Sequence, residues 1–228
     1  MFDLDRLRMD SGRTADGGTN GEVMARSIIT TCARWKHLGV ATLMVALVAS
    51  VASVSPAHAA PSDPSAASLG AALSSAIGSD GVFDGDRARA IGVSTEAVDA
   101  FATGRSLVGL ASRHAAVDRQ LVDEVERSTA VVRACAGKNR WDHTGIQLNV
   151  YLNSCNTTRL LGVLGASAGV ATAIGIITAA TGLGGAAAGI IAAGLAVAGG
   201  VLTACSSRGR GTVIHNIPPG SVVWCNNQ

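Results

Sequence analysis

Between Arg159 and Arg208 the chain carries no charged side chain. That stretch, LLGVLGASAGVATAIGIITAATGLGGAAAGIIAAGLAVAGGVLTACSS, has to be hidden from water by protein or by lipid. A helix needs roughly 20 mostly apolar residues to cross a bilayer. The run holds two such lengths, divided at Thr181-Gly182-Leu183-Gly184-Gly185. The pattern predicts an apolar helical hairpin. Its first helix runs from an N-cap at Asn156 or Thr157 to about Ala180, and its second from about Gly185 to Ala204. Each would be on the order of 30 Å long. The SSRGRG segment after it stops the second helix with glycine and two arginines at its carbonyl end.

Small residues recur along this hairpin at three- and four-residue steps. Gly162, Gly165 and Gly169 fall on the first helix, Gly185 and Gly189 on the second. Gly165–Gly169 and Gly185–Gly189 are both GxxxG, a spacing that lets helix backbones approach closely. A glycine inside a helix costs about 1 kcal/mol relative to alanine, so their grouping predicts a close helix contact. Each Leu, Ile or Val adds only about −0.3 to −0.6 kcal/mol to insertion at mid-bilayer, and alanine and glycine dilute them here. The hairpin is therefore expected to insert conditionally into lipid. The alternatives are that it forms the core of a secreted domain or spans a membrane permanently.

Residues 1–59 are set apart from the fold. Arg26, Arg34 and Lys36 precede the apolar segment from Leu38 to Val54, and Ser55-Pro56-Ala57-His58-Ala59 ends in a small-x-small cleavage pattern, so residues 24–59 are read as an export signal cut after Ala59. An uncleaved signal anchor is the alternative. Residues 1–23 fit neither signal nor core, and translation is expected to start at Met24. Of the 18 basic residues only Lys36 and Lys138 are lysine, which points to a high-GC genome of the actinobacterial kind. Beyond Ala59 there are 12 Lys/Arg against 11 Asp/Glu, and aromatics make up 3% of the chain, so neither a basic patch nor stacking platforms favour nucleic acid.

Residues 60–92 are expected to be a Pro/Ser/Ala/Gly-rich linker, and 93–138 an amphipathic helical segment with a helix capped by Ser94 that ends at Gly104. A longer amphipathic helix is expected over Ser106–Ala136, its charges solvated. Residues 139–228 read as strand, helical hairpin and two further strands. Ile146 to Leu152 alternate strictly, Gly211–Ile217 follows the hairpin, and Ser221–Cys225 closes the set. The expected fold class is α+β: amphipathic N-terminal helices with a small antiparallel sheet carrying the hydrophobic hairpin, stapled by disulfides.

Cys135, Cys155, Cys205 and Cys225 remain after the signal, an even number in an exported chain. Four cysteines allow three connectivities. An antiparallel hairpin returns the chain to its start, which favours Cys155–Cys205 and leaves Cys135 with Cys225. Zinc held by these cysteines with His143 or His215 fits no standard spacing. The turn from Asp80 to Asp86 lacks the closing glutamate of a calcium loop.

Gly165-Ala166-Ser167-Ala168-Gly169 matches the nucleophile elbow, yet no Asp or Glu follows Asp142 to complete a triad. Ala90–Val98 has the flavour of a helix-turn-helix but no basic recognition face. The adjacent Asp142 and His143, with His114 and His215, give no acid–base pair. No catalytic residue, metal site or cofactor is assigned, and no enzyme is expected.

From about Gly145 to Gln228 the segments GIQLNVYLNSCNTT, the Gly/Ala-rich hairpin, GRGTVIHN and the terminal WCNNQ resemble exported proteins of Gram-positive bacteria and, more loosely, bacteriocins. A hydrophobic hairpin within a soluble fold is also similar in architecture to colicin-type pore formers. The resemblance implies a secreted, membrane-interacting protein of bacteriocin-like or pore-forming kind. Its partner would be a lipid bilayer, with homo-oligomers formed through the glycine faces. Bacteriocins are shorter and more cationic than this near-neutral chain. The competing expectations are a soluble secreted interaction module with the hairpin as its core, and a membrane-anchored cell-surface protein.

Overall fold

The structure, a computed structural model, describes residues 64–132, 134–197, 199–218 and 222–228. In chain order the elements are α1 (Pro64–Ser75), β1 (Phe83–Asp84), α2 (Gly85–Ala90), α3 (Thr95–Leu107), β2 (Ser112–Arg113), α4 (Arg119–Thr129), β3 (Arg140–Thr144), β4 (Gln147–Leu152), α5 (Ser154–Gly165), α6 (Gly169–Thr181), α7 (Gly185–Val197), α8 (Gly199–Cys205), β5 (Thr212–Asn216) and β6 (Val223–Asn227). The fold class is α+β. The signal and residues 1–23 lie outside the described residues.

The first of the two helices expected in the apolar run is divided into α5 and α6. Asn153, three residues before the expected cap, starts α5 by accepting from the Asn156 amide at 2.9 Å. The chain leaves helical geometry where Ser167 and Gly169 take left-handed backbone angles, so Gly165 and Gly169 flank a turn and do not line a helix contact. Gly182, also left-handed, caps α6 where the hairpin was expected to turn. The second expected helix, from about Gly185 to Ala204, is described as α7 and α8 over that range. Helix α6 is 13 residues, about 20 Å. No described helix is long and apolar enough to cross a membrane.

The hairpin of α6 and α7 is enclosed. Every residue from Ala171 to Thr178 is buried, eight in succession. A helix covered on one side would keep a solvent-facing stripe. The cover comes from α1, which lies along α7, from α3, which lies along α6, and from the sheet. Glycine makes both helix pairings close. A Cβ at Gly70 would overlap the Gly185 carbonyl, and one at Gly185 the Gly70 carbonyl. Gly189 lies on the Ala66 carbonyl in the same way. In the other pair Gly104 meets the Thr172 carbonyl and Gly175 meets that of Phe101. Gly162 contacts the side chain of Val125 on α4.

These contacts correct the expected N-terminal half. Residues 60–92 contain α1, because its Ala-rich sequence favours helix and gives Ala66, Leu73 and the neighbouring Ala76 a place against α7. Ser94 caps α3 as expected, accepting from the Ala97 amide at 3.3 Å. The helix runs on through Gly104 to Leu107 because that glycine faces α6. The long helix expected over Ser106–Ala136 is interrupted by Gly109, at positive φ, and resumes only as α4, capped by Asp118. Arg105 is buried and donates to the Gly81 carbonyl, fastening the preceding turn to α3. Burial pulls its pKa below the ordinary arginine value.

Four strands form an antiparallel sheet in the order β3-β4-β5-β6. Strand β3 occupies a stretch expected to be irregular. It is recruited by the two-residue turn Gly145-Ile146, which sets Thr144 opposite Gln147. Leu148, Val150, Leu152 and Ile214 point into the helical core.

All four cysteines among the described residues are bridged, in a pairing other than the one hairpin geometry favoured. Cys135 joins Cys155 and Cys205 joins Cys225, each across 20 residues. The β3–β4 hairpin returns the chain beside its own entry, where the Ser154 amide donates to the Ala136 carbonyl at 2.8 Å. Helix α8, packed on β6, carries Cys205 to Cys225 instead of back to Cys155. Each closed loop contributes about 3 kcal/mol in the chain-entropy account.

Gly185→Ala and Gly104→Ala should each lower stability in urea unfolding by about 2–4 kcal/mol, because a backbone and not a flexible side chain blocks the methyl. Gly200→Ala, with nothing within 4 Å of its would-be Cβ, should gain up to about 1 kcal/mol. Non-reducing proteolysis with mass mapping should yield cross-linked peptides joining 135 to 155 and 205 to 225. A 155–205 peptide would show the bridges to be otherwise.

Candidate interaction surface

Alternation along the strands sorts the sheet residues onto two faces. The face opposite the helical core carries Arg140, Asp142 and Thr144 from β3, Gln147, Asn149 and Tyr151 from β4, Val213 and His215 from β5, and Trp224 and Asn226 from β6. Cross-strand neighbours on this face interact directly. The Arg140 guanidinium sits 3.8 Å from the Tyr151 ring centroid and pairs with Asp142. The Asn149 amide nitrogen donates to Asp142 Oδ1 at 2.8 Å and to Thr144 Oγ1 at 2.9 Å. Its oxygen accepts from Gln147 at 2.6 Å and lies 2.7 Å from His215 Nδ1. Asn226 Nδ2 is 3.2 Å from His215 Nε2, and the imidazole stacks on Trp224 with centroids 5.3 Å apart.

The Gln147 amide nitrogen also lies 2.8 Å from His215 Nδ1, so this nitrogen faces both an acceptor, Asn149 Oδ1, and a donor, while the Asn226 amide donates to Nε2. Both ring nitrogens are thus engaged by side-chain amides. Burial pushes the His215 pKa below the ordinary histidine value, against the pull of the Asp142 charge. Asp142 itself is held below the usual carboxylate range, first by the Asn149 hydrogen bond and then by Arg140. Arg140 and Asp142 cancel, and the imidazole is uncharged. The face offers amides, a neutral imidazole and two aromatic rings on a rigid sheet, with no net charge.

The two ends of the sheet differ in kind. At one end the turn residue Ile146 is 74% exposed, with Ile217 at 38% and Val222 at 55%. At the other end lie Lys138, Arg208 and Arg210, all exposed, beside both disulfides. The Gln228 side chain ties this basic end together, bonding the Lys138 amide at 2.8 Å, the Lys138 carbonyl at 2.9 Å and the Leu152 carbonyl at 2.8 Å.

The other residues weighed from sequence are scattered. Ser167 sits between two helices, with no strand before it, so the elbow geometry is missing. Trp141 and His143 meet edge to face, with ring centroids 5.5 Å apart, near the β3 edge. In the Asp80–Asp86 turn, Asp84 caps α2 and bonds His114 Nδ1 at 3.1 Å and Arg113 Nε at 3.0 Å. The His114 bond leads in holding the Asp84 pKa down to about 2. Asp84, Asp86 and His114 lie close enough to share a cation, but Arg113 and Arg89 already supply positive charge to these carboxylates. The bridged cysteines offer no thiolate to zinc. Sequence spacing missed the Asp142–Asn149–His215–Asn226 ladder because its members come from four strands, one of them unexpected.

Comparison with family models, with curated proteins and with solved structures finds no match.

Acid should weaken the fold through these groups. A histidine whose folded pKa lies below 6.5 resists protonation, so its contribution is intact above that value and is lost as pH falls. The depressed carboxylates of Asp142 and Asp84 act in the same direction below 3.8. Urea midpoints should fall from pH 7 to pH 5, and His215→Gln should flatten that segment while leaving the decline below pH 4. An unchanged slope in His215→Gln would remove histidine from the account.

Proposed function

We propose that this chain is an exported, disulfide-stapled interaction module, with the apolar hairpin as its sealed core and the outer sheet face as its recognition surface. The observation that carries the reading is the continuous burial of Ala171–Thr178 beneath α1, α3 and the sheet. A hairpin serving as a lipid probe would have to break both glycine contacts and expose the faces of α1 and α3 that now cover it. Membrane killing of a bacteriocin-like or pore-forming kind is for this reason the less supported function. Two closed disulfides suit an oxidising compartment, in keeping with the signal expected over residues 24–59. The outer face suits recognition because its donors, acceptors and rings are held in place by one another, which lowers the ordering cost of binding.

Hydrogen exchange tests this. Amides of residues 171–178 and 188–195 should be strongly protected in detergent-free buffer and stay so when vesicles are added. Lost protection together with release of an entrapped dye would replace this function with insertion. Fractionated culture should hold the chain in the supernatant, beginning at Ala60. Retention in the membrane pellet that 0.5 M NaCl does not release would count against export of a free module.

A further inference from the structure

The uncharged run has two fates. Its centre is buried, but its last part is not: Ala196, Val197, Gly200, Val201, Thr203 and Ala204 are all exposed, with Val197 at 57% and Val201 at 44%. Leu202 and Cys205 anchor the other side of α8 on α5 and β6. An outward helix face without a single charge is unusual in a water-facing helix. It runs directly into the basic end, where Arg208 and Arg210 follow Cys205 and lie beside Lys138.

We propose that α8, with Lys138, Arg208 and Arg210, docks this protein peripherally on a phospholipid bilayer bearing anionic headgroups. Charge complementarity is the first support. Asp142 is the last acid in the sequence and is engaged by Arg140, whereas Lys138, Arg208 and Arg210 have no ion pair among the described residues. The second support is rigidity. The Cys205–Cys225 bridge, the Arg208 amide on Asn227 Oδ1 at 3.2 Å, the Gly137 backbone against the Arg210 carbonyl and the Gln228 clamp hold the cations together.

The third support is the kind of ligand these groups can satisfy. The cations stand exposed on two chain segments, so they form no enclosure for one small anion. A plane of headgroups meets several point charges at once, and the boundary beneath takes the valines. This docking leaves the hairpin sealed and is independent of the sheet face.

Vesicle co-sedimentation tests the proposal on the oxidised protein, with wild type and variants compared both as the full chain and as the form beginning at Ala60. Binding to vesicles of 30% phosphatidylglycerol in phosphatidylcholine should exceed binding to pure phosphatidylcholine, and 0.5 M NaCl should abolish the difference. The Lys138→Gln, Arg208→Gln, Arg210→Gln triple variant should lose on the order of a hundredfold in partitioning while keeping its melting temperature. Val201→Trp should shift its emission to the blue on anionic vesicles and be quenched by brominated lipid. Salt-insensitive binding that is equal on both vesicles and unchanged in the triple variant would overturn the proposal, as would no binding to either. Tight binding of soluble polyphosphate without vesicle binding would overturn it too, in favour of a free polyanion. Should the triple variant fail to fold, the wild-type salt response and the Val201→Trp emission decide alone. Hairpin exchange distinguishes this result from failure of the sealed-core function, since docking leaves residues 171–178 protected.

Discussion

Two reciprocal backbone contacts organise this fold. Gly70 and Gly185 each present a bare Cα to the other's carbonyl, and Gly104 and Gly175 do much the same between α3 and α6. With no side chain between them, paired helices settle at a separation where dispersion and weak Cα–H···O contacts act along the crossing. Each glycine costs about 1 kcal/mol in helix propensity, which the close approach must offset. The device resembles the one used between helices in lipid. Here it joins the apolar hairpin to two cover helices, one of which keeps Glu96 on its outer side.

Once α1 and α3 are seated, the rest of the architecture is constrained. Short helices suffice because each needs only to match its cover, and the breaks at Ser167–Gly169 and Gly182 let the run fold back on itself within about 20 Å. The cover leaves α5 and α8 outside the central pair, against the sheet. From there Cys155 reaches Cys135 and Cys205 reaches Cys225. Both bridges act at one end of the sheet and cross-link local loops. They stiffen the basic end and leave the hairpin to be held by packing alone.

Much of this was legible in the sequence wherever a pattern is local. Period-two alternation marked β4, and the segments after the hairpin marked β5 and β6. Ser94 marked the start of α3, and Gly182 the reversal of the hairpin. The expectation failed where distant partners decide. Residues 64–75 look like a linker until α7 offers a glycine groove, and Gly104 looks like a helix stop until α6 lies against it. Uninterrupted hydrophobicity from Leu160 to Ser207 hid the break at Ser167–Gly169, because glycine both permits close packing and ends helices. The sheet face was the least visible, since Asp142, Asn149, His215 and Asn226 become neighbours only through the register of four strands.

The division within the uncharged run is the feature with the most bearing on function. Its composition is nearly uniform, so affinity for lipid cannot separate its parts; accessibility does. Residues 171–178 would have to shed two helices before meeting a bilayer, losing all the apolar contact that now covers them. Ala196, Val197, Val201 and Ala204 need shed nothing, and the cations beside them have no ion pair among the described residues. A membrane encounter would therefore reach the exposed end first, and the electrostatic gain there requires no opening of the core. The same reasoning limits what such an encounter can do. Surface association through α8 supplies no free energy for parting Gly70 from Gly185 or Gly104 from Gly175, because these glycines are buried away from the docking face. Attachment without perforation is the outcome the packing favours.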